Sequence, residues 1–415
     1  MVELHLPDLR CRSLAEHMKI SKVVAAVIGL FCGAELGAML GWNGALLAVL
    51  ATSFLATVVL RWVRHLHRAA RPHVINKSQP DPIAAAAPTA HGVGTLTPLT
   101  ALLPDVLQTD RLFASGKARP GIVLGLRSIS NTRDAFSVVA VWAQVVAGWL
   151  LVQLSGHWVV WIIAVLWVGR CYSLVFLLNH EAAHALLFSN RSWNDRVGRL
   201  LLGWPALVDL ERYRKARISH HKNELGPDEP DMGLYVGYPS RPRKLALRLS
   251  RDLRGRSAYK QVRALMKTRW TTLARIASAQ AAVALLAYLT TGSWWAWLVL
   301  WWLPWATVWQ VINRLRSIAE HAGVAPGTDR RHNTHIVRQS WLPSQFLAPF
   351  GAGPGYHLAH HVDTSVPWNH LPALHNELER AGWITPEITH SSYTVLWRYL
   401  TTISEGHSPH GVWAG

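Results

Sequence analysis

Six apolar runs limit what this chain can fold into. Val23–Gly41 and Gly44–Leu60 are parted by Trp-Asn, Ala135–Leu154 and Trp158–Leu178 by Ser-Gly-His, and Ile276–Thr291 and Trp294–Ile312 by Gly-Ser. Each run is about 16–21 residues, near the ~20 a helix needs to cross the hydrocarbon of a bilayer. Paired runs with short breaks predict helical hairpins. Strand signals are scarce. The expected fold is an all-α polytopic membrane protein of about six transmembrane helices in three hairpins. The alternative is a soluble protein with buried helices.

The net charge of +18 raises the question of nucleic acid, but its placement argues against that partner. Lys19 and Lys22 precede the first run, and Arg61, Arg64 and Arg68 follow the second. From Ala185 to Arg275 there are 20 Lys or Arg against 8 Asp or Glu. These segments lie on the side to which even-numbered crossings return the chain, which is the positive-inside pattern. Both termini and every long connection are therefore expected on the cytoplasmic side. Anionic lipid or an acidic redox partner is a secondary reading of the same charge. Cys11, Cys32 and Cys171 form no CxxC pair, so neither a disulfide framework nor a zinc knuckle is expected. The first 18 residues are polar and mixed in charge, unlike a cleavable signal peptide, and the first run reads as an uncleaved anchor. The predicted organisation is a transmembrane hairpin over 1–68, a Pro-, Gly- and Thr-rich linker over 69–132, a main domain over 133–404 and a tail over 405–415. Glu35, inside the first hairpin, suits a helix–helix hydrogen bond. Arg170, inside the fourth run, is expected to face the bundle or snorkel to an interface.

Histidines cluster after the even-numbered runs. "HEAAH" places His180 and His184 at i and i+4, on one helix face. HExxH is the zinc-protease pattern, in which Glu181 would be the base. It is also an HxxxH pair of the kind membrane di-iron oxygenases use. "SHHKN" follows with His220 and His221, "AEHAG" with His321, and "YHLAHH" with His357, His360 and His361. All eight are expected to emerge on the cytoplasmic side, as a histidine-rich cap at the bilayer surface. Imidazole suits iron and zinc alike. One zinc takes four ligands in ordinary sites, so eight histidines argue for two metals.

The phrases around these histidines resemble the membrane fatty acid desaturase superfamily, the histidine-box di-iron enzymes. "NHEAAHALLFSNRSWNDRVGRLLLGWP" resembles the first box and its sequel, "YRKARISHHKN…GPDEPD" the second with its acidic trailer, and "YHLAHHVDTSVPWNHLPALH" the third. The resemblance runs from about Arg133 to Trp397. It implies two non-haem irons on the eight histidines, O2 as co-substrate, and hydrogen removal from an unactivated C–H bond of a lipid or acyl chain. Desaturation is the first expectation, and hydroxylation or ketolation on the same scaffold the runner-up. It also implies electrons from a separate ferredoxin or cytochrome, because no haem, flavin or nicotinamide motif is visible in the sequence. Readings from other classes are a zinc intramembrane protease and a non-catalytic homologue.

One position departs from the family pattern. The second box usually reads HxxHH, and here it reads RISHH, with Arg217 first. A guanidinium has no lone pair to offer a metal. Three outcomes follow: a water or a neighbour such as Glu224 completes the shell, the site holds metal weakly, or the chain has lost the chemistry and kept the fold. In the first, Arg217→His keeps or raises metal content; a needed role for Arg217, such as pairing with Asp228, would overturn that reading. Glu181 is expected to orient an imidazole, and Asp228 and Asp231 to hold the second-box loop or to form a solvated turn. The Trp-rich run before His321 reads as interface anchoring and helix packing, with Pro304 as a tolerated kink. His332, His335, His370, His375 and His390 read as ordinary.

Overall fold

The computed structural model describes residues 105–401, apart from 156, 227, 325–329, 339–345, 348–354 and 385–388. The first hairpin with Glu35, Cys11 and Cys32, most of the linker and the tail lie outside the described residues.

Among the described residues the chain is mostly helical. Three stretches, Pro120–Ser155, Trp158–His184 and Trp270–Thr291, are long and apolar enough to cross a membrane. The first is divided into α1 (Pro120–Leu126) and α2 (Asn131–Ser155), the second is α3 (Trp158–His184), and the third is α9 (Trp270–Thr291). His157 caps α3 by accepting from Val159 N–H at 3.2 Å. Val139, Leu150, Ile162, Ile163, Leu166 and Leu289 are exposed on these helices, an apolar covering suited to lipid. The opposite faces pack together through small residues. At Gly169 a Cβ would lie 2.3 Å from a Val308 methyl, so only glycine lets α3 approach this closely. Arg170 faces the bundle, buried, and donates to Gln144 Oε1 at 2.6 Å.

The sixth apolar run is helical, but with π winding over Leu298–Trp302 and Trp305–Trp309 before α10 (Gln310–His321). Pro304 sits between the two π segments and has no N–H to give the preceding turn. The backbone groups left over are taken up by neighbouring helices. Trp149 Nε1 of α2 donates to the Leu300 carbonyl at 3.1 Å, and the Tyr172 hydroxyl of α3 donates to the Trp301 carbonyl at 3.2 Å. Trp301, Trp305 and Trp309 are buried as packing residues, while Trp294 and Trp295 are exposed.

Between α3 and α9 the chain runs through α4 (Arg191–Val197), a π segment (Gly198–Gly203), α5 (Leu210–Lys222), α6 (Met232–Tyr235), α7 (Pro242–Leu253) and α8 (Arg256–Leu265). After α10 come β1 (Ile336–Val337), α11 (His357–Val362), α12 (Leu371–Arg380), β2 (Thr389–His390) and α13 (Tyr393–Thr401). β1 and β2 pair in parallel, Ile336 opposite Thr389. His390 and His335 join beside this pair at 3.0 Å, and His335 reaches the Ala322 carbonyl at 2.7 Å, next to the end of α10. The end of the stretch read as a linker carries α1 and two ion pairs to the C-terminal part: Arg111 with Glu377 at 3.0 Å and Arg127 with Asp363 at 2.8 Å.

Trp149→Phe removes the donor to Leu300 and, at a fully buried position, leaves a cavity where the indole's second ring stood. It is expected to cost more than the ~1 kcal/mol of the bond alone. The effect is read as a lower thermal midpoint of the detergent-solubilised protein. An unchanged midpoint would show that the carbonyl finds another partner.

Candidate metal centre

Four helices bring the eight histidines together. His180 and His184 occupy the last turns of α3, His220 and His221 the last turn of α5, and His321 the last residue of α10. His357, His360 and His361 share the short α11. The C-terminal end of a helix carries partial negative charge, which favours a cation. The end of α3 is fixed in detail. Ala185 turns the chain out of the helix at φ 64°. Arg214 of α5 donates to the Ala183 and Ala182 carbonyls at 2.9 and 3.1 Å. Asn194 donates to Ala182 O at 2.9 Å and accepts from Leu187 N–H at 3.1 Å.

The imidazoles form two sets of four. His180, His184, His221 and His360 are one, and His220, His321, His357 and His361 the other; within each, the candidate ligand atoms lie within 4.8 Å of one another. The second set is wholly buried. The contacts are made by Nε2 atoms: His321 to His357 at 2.9 Å, His357 to His361 at 3.0 Å, and His360 to His221 at 3.1 Å. Several Nδ1 atoms are occupied on the far side. His321 Nδ1 meets the Asn333 carbonyl at 2.8 Å, and His220 Nδ1 meets Glu229 at 2.7 Å. His361 Nδ1 meets Glu224. A carbonyl only accepts, so His321 carries its proton on Nδ1 and presents a bare Nε2 lone pair. Burial, then the neighbouring imidazoles, hold His221, His321, His357, His360 and His361 well below the usual histidine range, hence neutral. His184 Nε2 is buried with no hydrogen-bond partner among the described residues. Neutral imidazoles crowded through their ring nitrogens, with one such atom unpartnered, are a donor set that fits a metal ion in each group of four.

Carboxylates surround the histidines and face their outer nitrogens. Glu224 accepts from Asn333 with one oxygen while the other holds His361, so it orients a ring from behind. Glu320, next to His321 in the chain, lies 3.6 Å from His357 Nδ1 and also accepts from Arg316 at 2.8 Å. Glu181 lies 3.6 Å from His180 Nδ1, while its Oε2 accepts the Trp368 N–H at 3.1 Å. Trp368 donates through Nε1 to Asp134 of α2 at 3.1 Å, tying the loop after the third box to the membrane helices. The roles of Glu229, Glu320 and the Asn333 carbonyl were not read from the sequence. The position of Glu320 beside His321 was the available signal for one of them.

Arg217 forms an ion pair with Asp231, not with Asp228, which is exposed. The choice follows from burial: Asp231 is enclosed with Arg217, and each stabilises the other's charge. Burial opposes the Arg217 charge, but Asp231 together with Tyr213 and Glu229 raises the guanidinium pKa; burial opposes the Asp231 charge too, and Arg217, with smaller help from His220 and His321, holds that carboxyl below the usual range. Arg217 also lies over the Tyr213 ring, 5.3 Å from its centroid. Both residues line a cavity of about 380 Å3 that reaches His180, His220, His321 and His357. Phe176 and Trp309, stacked at 4.4 Å, give it an apolar wall.

Removing Arg217 strands the Asp231 charge. Arg217→Met is expected to destabilise the protein by about 2–3 kcal/mol, at or below the range for a buried pair because both groups keep some exposure. Arg217→Met combined with Asp231→Leu is expected to recover most of that loss. Thermal unfolding of the three proteins measures this, and equal midpoints for the wild type and the single variant would contradict it.

Comparison with known proteins places the same region. A family model described as Fatty acid desaturase matches residues 156–389, which includes all eight histidines. Dihydrorhizobitoxine desaturase of Bradyrhizobium elkanii is 24% identical over 249 residues, covering 54% of this chain and 69% of that protein.

Proposed function

The chain belongs to the fatty acid desaturase family, and on that premise we propose that it is an O2-dependent membrane oxidoreductase that introduces a double bond into a lipid acyl chain. The family implies a lipid substrate and a membrane setting. The observation that carries the reading is the division of the eight histidines into two groups of four. In this proposal His180, His184, His221 and His360 hold one iron, and His220, His321, His357 and His361 the other. Bound iron would supply the oxygen activation needed to break an unactivated C–H bond. The zinc-protease reading is disfavoured because Glu181, its would-be base, accepts the Trp368 backbone N–H with one carboxylate oxygen.

The protein's own groups have definite tasks. Glu224, Glu229 and the Asn333 carbonyl fix the tautomers and directions of His361, His220 and His321. In this proposal a methylene segment lies against the apolar wall of Phe176 and Trp309, beside the histidines. The reaction balances as –CH2–CH2– plus O2, two electrons and two protons giving –CH=CH– and two waters. The electrons come from a separate ferredoxin- or cytochrome-type donor. Desaturation is preferred over hydroxylation or ketolation because the relative named above is itself a desaturase. The termini and the histidine cap are assigned to the cytoplasmic side by the positive-inside charge.

The test compares lipids from cells expressing the wild type, His220→Ala and His357→Ala. Wild-type cells are expected to accumulate acyl chains two hydrogens lighter, and only with O2 present; both variants are expected to lose the product. Acyl chains carrying an added oxygen would replace desaturation with hydroxylation, and product formed without O2 would refute the oxygen-dependent reading.

A further inference from the structure

The segment between the second box and α9 carries charge that the metal centre does not use. From Arg241 to Arg275 there are twelve Lys or Arg and one carboxylate, Asp252. Asp252 is buried and taken by Arg314 of α10, whose Nη2 lies 3.1 Å from its Oδ1. Gln261 of α8 bonds Gln310 of α10 at 3.0 Å. These contacts clamp the inner faces of α7 and α8 onto α10 and leave the outer faces free.

Those outer faces are ordered by helical spacing. Arg256, Lys260, Arg263 and Lys267 recur at i, i+4, i+7 and i+11, one stripe along α8 and its continuation, and all four are exposed. None of them forms an ion pair among the described residues. Like charges at these spacings repel and destabilise a helix unless an anion lies against them. Tyr259 and Met266, three residues after Arg256 and Arg263, flank the stripe and are 67% and 63% exposed. On α7 and at its C-terminal cap, Arg243 and Arg254 flank the exposed Leu247 and Leu253. Trp270, 77% exposed, opens the candidate membrane span α9. Basic residues interleaved with exposed apolar ones, ending on a Trp where a span begins, match a helix pair lying in a headgroup layer.

We propose that α7 and α8 form a membrane-surface element that docks on anionic phospholipid headgroups. The apolar residues in the basic faces favour a lipid layer over an acidic protein, because they need somewhere dry to insert. The inference stands apart from the reaction assigned above. It has a structural consequence for it, since Gln261, Ala264 and Leu265 of α8 form part of the cavity wall beside the histidines. Docking would hold that wall in place.

The test is hydrogen–deuterium exchange of the full chain in nanodiscs of phosphatidylcholine alone or mixed with phosphatidylglycerol. Exchange over 243–270 is expected to slow several-fold with phosphatidylglycerol. The slowing is expected to vanish in high salt and in the variant Lys260→Glu/Arg263→Glu. Unaltered exchange across α2 and α3 in that variant shows that it is folded. Equal exchange in the two lipids would overturn the proposal. Slowing that depends on an added ferredoxin-type protein, and not on lipid charge, would overturn it in favour of an acidic partner.

Discussion

Imidazole nitrogens that face one another at hydrogen-bond distance repel unless a proton or a metal ion lies between them. In this protein the Nε2 atoms of His321, His357 and His361 stand 2.9 and 3.0 Å apart in sequence. The outer nitrogens of two of these rings are engaged: His321 Nδ1 by a carbonyl and His361 Nδ1 by Glu224. Burial makes protonation costly for all three. The crowding is therefore relieved best by a cation, and the fold around it supplies negative helix ends and carboxylates one layer out.

The surrounding architecture makes such a site rigid. His180, His184, His220, His221 and His321 sit in the last turns of their helices, and groups outside the helices hold the site around them. Arg214 and Asn194 bind the last carbonyls of α3, Asn333 anchors the ring that closes α10, and Glu181 holds the backbone after α11. The π winding near Pro304 has the same character, since its leftover carbonyls are taken by Trp149 and Tyr172. Arg217 fits this pattern. At the first position of the string RISHH, it pairs with Asp231 at the cavity wall and lies outside both groups of four.

Hydropathy made α2, α3 and α9 legible, because the length of an apolar run is a property of sequence alone. It also located the sixth run but not its π segments, since hydropathy does not report which carbonyl each N–H reaches. Seven of the eight histidines were legible from their spacing within the three boxes, and His321 from its place just after the sixth apolar run. Their division was not. His220 and His221 are adjacent in sequence but belong to different groups, as do His360 and His361. Successive residues on a helix point about 100° apart, so the assignment depends on how helices cross. The pairing of Arg217 with Asp231 in place of Asp228 was hidden for a similar reason: both acids lie in one loop, and only its folded course decides which is enclosed.

The most direct measurement is the metal content of the purified full chain beside one variant from each group, His184→Ala and His321→Ala. The account predicts two irons per wild-type chain and fewer than two in each variant, with the protein still folded. One zinc and no iron in the wild type would contradict it.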